Sequence, residues 1–321
     1  MTASETVPVI DLSPLFAGDV APVAAAIHAA ATEIGFFYVS GHGIAPDTID
    51  AAFATTRAFF ALPPATKQRV AIDTDQRGWM GPGMSRLAGA KAADRKEVFF
   101  WGREVAPDDP DLGRPMVAPN RWPDADFPAL RRDVTPYYAA VCGVGAALLR
   151  ALAVSLGGPE DAFAPHYTRP LARGQLVHYP PAEAEDAAAE RYGVAPHTDF
   201  GVLTLLLQDD SGGLQVRRRD GAWIDAPPIP GTLVCNIGDL LQRWSNDRFV
   251  STVHRVVNRA PGARHSIPVF YDPNTDADVD PRLFLSPGEE ARHAPITPGE
   301  HIAGRNRQSF SQYERTTTGQ P

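Results

Sequence analysis

Two rhythms of apolar residues divide the chain. Up to about residue 156 the apolar positions recur at helical spacing; from about residue 173 they alternate in short runs. In the first half, "VPVIDL" (7–12) reads as a short strand. Val23, Ile27, Ala30 and Ile34 then form a helical stripe that Gly35 stops, and "FFYVSGHG" reads as a strand ending in a turn. A second helix fits 47–61, with Ile49, Phe53 and Phe60 on one face and Pro63-Pro64 ending it. The Pro- and Asp-rich stretch 102–127 reads as loop. A long helix is expected over about 127–156, carried by Leu130, Tyr137, Val141, Val144, Leu148 and Leu152 and closed by Gly157-Gly158.

In the second half, "GQLVHY", "GVLTLLLQ", "GLQVRRR", "AWIDA", "GTLVCNIGD", "STVHRVVN" and "RHSIPVFY" are short strands separated by turns. Such spacing predicts a sandwich or barrel. Asp220-Gly221 predicts a hairpin with a two-residue type I′ turn. The polar end "NRQSFSQYERTTTGQP" reads as a short helix with a frayed tail. No internal repeat or clean linker interrupts the chain. One domain over 1–321 is expected, with 1–165 a mostly helical support and 166–321 the β core.

Composition narrows the function. The 321 residues are 44% hydrophobic, enough for a large core, and the net charge is −8. The longest basic run is "RRR" at 217–219, expected to be a solvated hairpin arm, so nucleic acid is not an expected partner. A small metabolite remains. Cys142 and Cys235 have no CxxC neighbour and read as two buried thiols, which suits a reducing cytoplasm. The first residues lack a signal-peptide pattern, and no segment has the ~18–20 uninterrupted apolar residues of a membrane helix. A soluble monomer or weak homo-oligomer is expected.

The candidate chemistry begins in "APHTDFGVLT" (195–204). His197 and Asp199 are two residues apart, and on an extended strand they share a face. His254, in "SNDRFVSTVHRVVN", is a third donor that a barrel can bring alongside. Two imidazoles and a carboxylate on one side of a metal leave about three octahedral positions open, which suits iron(II). Downstream, Arg264 and Ser266 share a strand face, a fork and a hydroxyl suited to a carboxylate. Tyr179, in "LVHYPP", can present a phenol to the same group, with Val177 beside it.

These pieces are similar to the isopenicillin N synthase-like family of Fe(II)- and 2-oxoglutarate-dependent oxygenases. The resemblance runs nearly end to end, through "VPVIDLSPL", "IGFFYVSGHGI", "FFALPPATK", "DRKEVFFWG", "LVHYPP", "HTDFGVLTLLLQD", "NIGDLLQRWSNDRFVSTVHRV" and "RHSIPVFYDP". It implies a mainly β fold with flanking helices, its core a double-stranded β-helix, or jelly roll. It also implies iron(II) on His197, Asp199 and His254, and 2-oxoglutarate held by Arg264 and Ser266 with help from Tyr179. With O2, the cosubstrate would be decarboxylated to succinate and CO2 while a small-molecule C–H bond is oxidised, by hydroxylation, desaturation or cyclisation. Many relatives carry Asn two positions before the tyrosine; Val177 stands there, which puts one cosubstrate contact in doubt. His265 replaces a more usual aromatic and is expected to face outward.

Three alternatives stand beside this reading. An Fe(II) oxidase of the isopenicillin N synthase or ethylene-forming type could use the same triad without a coupled 2-oxoglutarate oxidation. A zinc hydrolase could use two imidazoles and a carboxylate, although the Arg-x-Ser pair and the lack of an H-E-x-x-H helix count against it. A non-catalytic binder is the third. Among other residues, His42 reads as a turn residue and His178 as structural. His166, His293 and His301 lack partners at useful spacing. Phe99, Phe100 or Trp101 could cover the pocket or serve the core.

Overall fold

In the computed structural model, residues 6–84, 94–183, 192–258 and 261–309 are described. The first half supplies β1 (Val9–Asp11), α1 (Ser13–Phe16), α2 (Ala21–Glu33), β2 (Phe36–Ser40), α3 (Pro46–Phe60), α4 (Pro64–Gln68), β3 (Gly78–Met80), β4 (Glu97–Gly102) and α5 (Ala129–Ser155). The second half supplies β5 (Arg173–Tyr179), β6 (Val194–His197), β7 (Leu203–Gln208), β8 (Leu214–Arg217), β9 (Trp223–Asp225) and β10 (Leu233–Ile237). It continues with α6 (Asp239–Trp244), β11 (His254–Val256), β12 (Arg264–Tyr271) and α7 (Pro298–Ser309).

Strands β5 to β12 form the jelly roll. One face runs β10-β7-β12-β5 and the other β6-β11-β8-β9, so successive strands cross between faces except at the β8-β9 hairpin. The first half does more than support this core from outside. β2 and β1 extend the larger sheet beyond β10, and β4 and β3 extend it beyond β5, giving eight strands in the order β1-β2-β10-β7-β12-β5-β4-β3. Both edges of the larger face are thus paired by N-terminal strands.

The large-sheet strands are buried on both faces and so read as continuous apolar runs. In β2, Phe37 and Val39 pack under the helices while Phe36 and Tyr38 face the barrel interior. In β5, Leu176 goes to the helical side and Val177 and Tyr179 inward. Helix α5 carries the expected stripe, with Leu130, Tyr137, Val141, Leu148 and Leu152 all buried, and packs against α2, α3, β7 and β12. By length and composition α5 is apolar enough to span a bilayer, but half of that window is buried inside the molecule.

Gly35 ends α2 at φ +66°, and a Cβ there would lie 2.0 Å from the Val250 carbonyl oxygen. Pro63-Pro64 ends α3 as expected, yet Pro64 also opens α4, because proline suits a first helical turn. The 220–221 hairpin differs from expectation. Arg217 pairs with Trp223, the Gly221 N–H donates to Arg218 O at 2.9 Å, and Gly221 alone of the two takes a positive φ, +88°. This is a three-residue loop with a bulge, since Asp220 stays right-handed while its carboxylate accepts from Ala222 N at 3.0 Å. The "RRR" arm is partly engaged: Arg218 pairs with Asp220 at 2.8 Å and Arg219 donates to Thr32 O at 2.6 Å. The polar C-terminal stretch begins inside α7; residues 310–321 lie outside the described ones.

Candidate active site

His197 is the last residue of β6 and His254 the first of β11, and the antiparallel register sets them directly opposite. Their rings lie 4.2 Å apart. Asp199 is not on the strand. It lies in the loop after β6, and its Oδ1 stands 3.7 Å from Nε2 of each histidine. One ligand atom from each of the three falls within 4.8 Å of the others.

The surroundings decide which atoms are free. His197 Nδ1 lies 2.8 Å from Ala195 O and His254 Nδ1 3.2 Å from Thr252 O. Each Nδ1 is thereby the donor, which turns a lone pair on each Nε2 toward the centre. Asp199 Oδ2 accepts from Thr204 Oγ1 at 2.5 Å and Asn236 Nδ2 at 2.7 Å, leaving Oδ1 open. Burial, and then the neighbouring His254, push the His197 imidazole down to about 3, so it is neutral near neutral pH. Burial opposes ionisation of Asp199. Even so, His254, His197 and the bonds from Asn236 and Thr204 outweigh it and hold the carboxyl below its usual value. A neutral His197 and an ionised Asp199 are protonation states a divalent metal needs. The donor set therefore fits iron(II).

The triad opens on a cavity of about 950 Å³, mouth included, that Tyr179, Arg264 and Ser266 also line. Strand register places Arg264 opposite Tyr179 and Ser266 opposite Val177. Arg264 is 1% exposed. Its Nε donates to Gly212 O at 2.8 Å and Nη2 to Gln208 Oε1 at 3.2 Å, and the guanidinium lies over the Tyr179 ring at 4.8 Å. Nη1 is buried with no partner. A fork anchored on two donors and orphaned on a third fits the carboxylate of a 2-oxoglutarate molecule in the cavity. Tyr179 contributes its ring face to Arg264.

His265 does not face outward. It is 8% exposed, its ring 5.0 Å from His178 and 6.3 Å from Phe60 of α3, because the reverse face of β12 is covered by that helix. His178 is structural, with Nδ1 3.1 Å from Glu97. His42 accepts from Ile44 N at 3.1 Å within its turn. His293 does have a partner, with Nε2 3.0 Å from Asp247, and His166 packs edge-on to Trp244. Phe99 and Trp101 join the core under the helices and Phe100 the inner core. Thr204 and Asn236 escaped the sequence reading, as did the cavity residues Gln76, Lys96, Arg173, Gln175 and Asn306. Asn236 left one signal, a polar residue within the buried run "LVCNI".

Comparison with known proteins now adds the family. A family model described as "2OG-Fe(II) oxygenase superfamily" matches residues 166–273, and one described as "non-haem dioxygenase in morphine synthesis N-terminal" matches 7–125. The rice protein named homoarginine-6-hydroxylase 2-ODD-233 is 35% identical, over 93% of this chain and 95% of the relative. The chain belongs to the 2-oxoglutarate–Fe(II) oxygenase superfamily. Another relative in this superfamily, the Emericella nidulans 2-oxoglutarate-Fe(II) type oxidoreductase hxnY, is 33% identical over 96% of the chain and 91% of its own length. Among solved structures, a full-length Neurospora crassa protein in complex with alpha-KG and thymine superposes with a TM-score of 0.83. It is 30% identical, covering 95% of this chain and 98% of the Neurospora chain. A Caulobacter crescentus protein described as a 2OG-Fe(II) oxygenase family protein gives 0.84 at 34% identity, over 95% and 99%. The protein is thus an Fe(II)/2-oxoglutarate-dependent dioxygenase with a jelly-roll core, using iron, 2-oxoglutarate and O2 on a small molecule. The zinc hydrolase and the non-catalytic binder fall away.

Proposed function

We propose that His197, Asp199 and His254 hold the iron, that Arg264 and Ser266 hold the far carboxylate of 2-oxoglutarate, and that Tyr179 braces Arg264. The observation that carries this reading is the buried, unpartnered Nη1 of Arg264 on the cavity that the triad opens into. When bound, iron(II) with O2 supplies the decarboxylation of 2-oxoglutarate to succinate and CO2, coupled to oxidation of an unactivated C–H bond of the substrate. The chain's own residues bind, orient and exclude water. Thr204 and Asn236 hold the Asp199 carboxylate to one rotamer. Gly212 and Gln208 hold the Arg264 fork in plane. Phe36, Leu206, Leu214 and Val256 keep the cavity wall apolar, which strengthens the ionic contacts inside.

We further place the enzyme in the cytoplasm as a monomer or weak homo-oligomer, a reading supported by its two free thiols. The deciding experiment is on Arg264. Removing one partner of a buried ion pair costs on the order of 2–5 kcal/mol, or roughly 30- to several thousand-fold in affinity. Arg264→Ala raises KM for 2-oxoglutarate within that range, Arg264→Lys recovers it in part because a point charge lacks the fork, and Ser266→Ala does less. Succinate release, measured by mass spectrometry, reports each. An Arg264→Ala enzyme with unchanged KM would remove the assignment.

A further inference from the structure

The cavity has a second polar end that the iron and cosubstrate roles leave unused. Strand β5 lines it with Arg173, Gln175, Val177 and Tyr179, and β12 with Arg264, Ser266, Pro268 and Phe270. Tyr179 and Arg264 are a register pair at one end of this ladder, and Arg173 and Phe270 a pair at the other. About 20 Å of strand separates the two ends.

Arg173 is 8% exposed and held from two sides. Its Nη2 bonds Asp272 Oδ2 at 3.0 Å, and its guanidinium lies over the Phe270 ring at 5.3 Å. Its Nε is buried with no hydrogen-bond partner. Gln76 lines the same cavity, is 2% exposed, and its Nε2 is likewise buried without a partner. The Gln76 backbone sits at φ +56°, where side-chain-bearing residues are rare. Asp73 Oδ1 pins the turn around it by accepting from Asp75 N at 3.1 Å and Arg77 N at 3.0 Å. A leucine at position 76 would leave no donor unpaired, so packing does not account for the amide.

Two buried donors on one cavity define what can satisfy them. Each calls for an acceptor, and a cationic group brings only more donors. Asp272 already balances Arg173, so a neutral carbonyl fits. Arg77, 2% exposed, donates to the carbonyls of Asp75, Gln76 and Met116, and its positive charge lets a carboxylate fit as well. We propose that Gln76 and Arg173 form the far-end subsite for the oxidised substrate, and that this subsite takes an acceptor oxygen of a carboxylate or carboxamide, not an amine or amidine. The inference rests on the reading that the Arg264 end belongs to 2-oxoglutarate.

Benzoate, benzamide and benzamidine test it, since they share one flat ring and differ at one group. Calorimetry is run without O2 on enzyme carrying Mn(II) and 2-oxoglutarate. Benzoate and benzamide bind, benzoate leading if a carboxylate is preferred, and benzamidine binds at least roughly tenfold more weakly. Gln76→Leu weakens benzoate by roughly tenfold and leaves the 2-oxoglutarate Kd within about twofold. Gln76→Glu, which replaces the donor by an anion, reverses the order of benzoate and benzamidine and guards against Arg173 variants that strand Asp272 and fail to fold. Equal binding of the three probes, no binding at millimolar concentration, or an unchanged order in Gln76→Glu overturns the subsite. Failure of the cosubstrate reading looks different: the wild type then shows no 2-oxoglutarate binding, or binding indifferent to Arg264→Ala.

Discussion

Asp199 divides its work between two oxygens, one for neighbouring protein donors and one for the centre. An Asn there can keep an acceptor toward Thr204 and Asn236 only by turning its NH2 toward the two histidines. Asp199→Asn is therefore expected to lose iron(II) while its melting temperature stays near that of the wild type. Metal analysis after anaerobic loading checks this. Thr204→Val and Asn236→Leu loosen the carboxylate without removing it, and each is expected to lower iron affinity by about 10–100-fold. Wild-type affinity in both would mean the two bonds do not orient the ligand. At this scale the sequence was most informative where chemistry is expensive. A histidine and an arginine in strands, and an aspartate at the mouth of an apolar run, were visible as candidates. Arg173, Gln175 and Gln76 were not, because their task comes from facing one cavity, and facing is set by strand pairing. His265 misled for the same reason: parity put it on the face away from Ser266, but only the packing of α3 decides that this face is buried.

Between elements, β4, β5 and β12 are tied behind the cavity by a buried polar chain. Glu97 Oε2 accepts from Lys67 Nζ at 2.7 Å and Trp79 Nε1 at 2.8 Å, while Oε1 meets His178. His178 pairs across the strands with His265, and the His265 N–H donates to Asp209 at 2.5 Å. Glu97→Gln leaves the Lys67 charge buried without its counter-charge, and about 3 kcal/mol of stability is expected to go with it, readable by urea unfolding. The acid side follows in sign. Burial opposes ionisation of Glu97, but bonds from His178, Lys67 and Trp79 outweigh it, so its folded pKa is depressed. Its contribution is complete above the unfolded carboxyl value of about 4.3 and is lost as pH falls through the folded one. The wild type should lose stability over that window more steeply than Glu97→Gln; parallel curves would refute the assignment. Element type was legible because α2, α3 and α5 have long stripes and the barrel strands short runs. Turn geometry was less so. Asp-Gly suits a type I′ turn, yet here Asp220 spends its carboxylate on Ala222 N and only Gly221 goes left-handed.

For the whole molecule, the question is whether the β core can stand without the first third of the chain. The topology argues that it cannot. β2 hydrogen-bonds along β10 and β4 along β5, so deleting residues 1–100 opens both edges of the larger face at once. Open edges of that length pair with other chains. The same deletion strips Ile10, Ile27, Phe37 and Phe59 from the core they share with Leu203, Leu205, Leu233, Cys235 and Ile237. An apolar face of that kind drives association. Nor does the inner core survive, since Phe36, Tyr38 and Val98 pack there beside Val177, Val234 and Val256. Phe36 also lies edge-on to His254 at 5.1 Å, so part of the wall around the metal candidate comes from outside the β core. We therefore expect residues 1–321 to fold as one domain, a 165–321 fragment to be recovered insoluble, and refolded fragment to show no stoichiometric iron(II) binding. Soluble expression with about one metal per chain in that fragment would make the N-terminal third an accessory, and the long-range pairing of β2 and β4 would then be dispensable to the site.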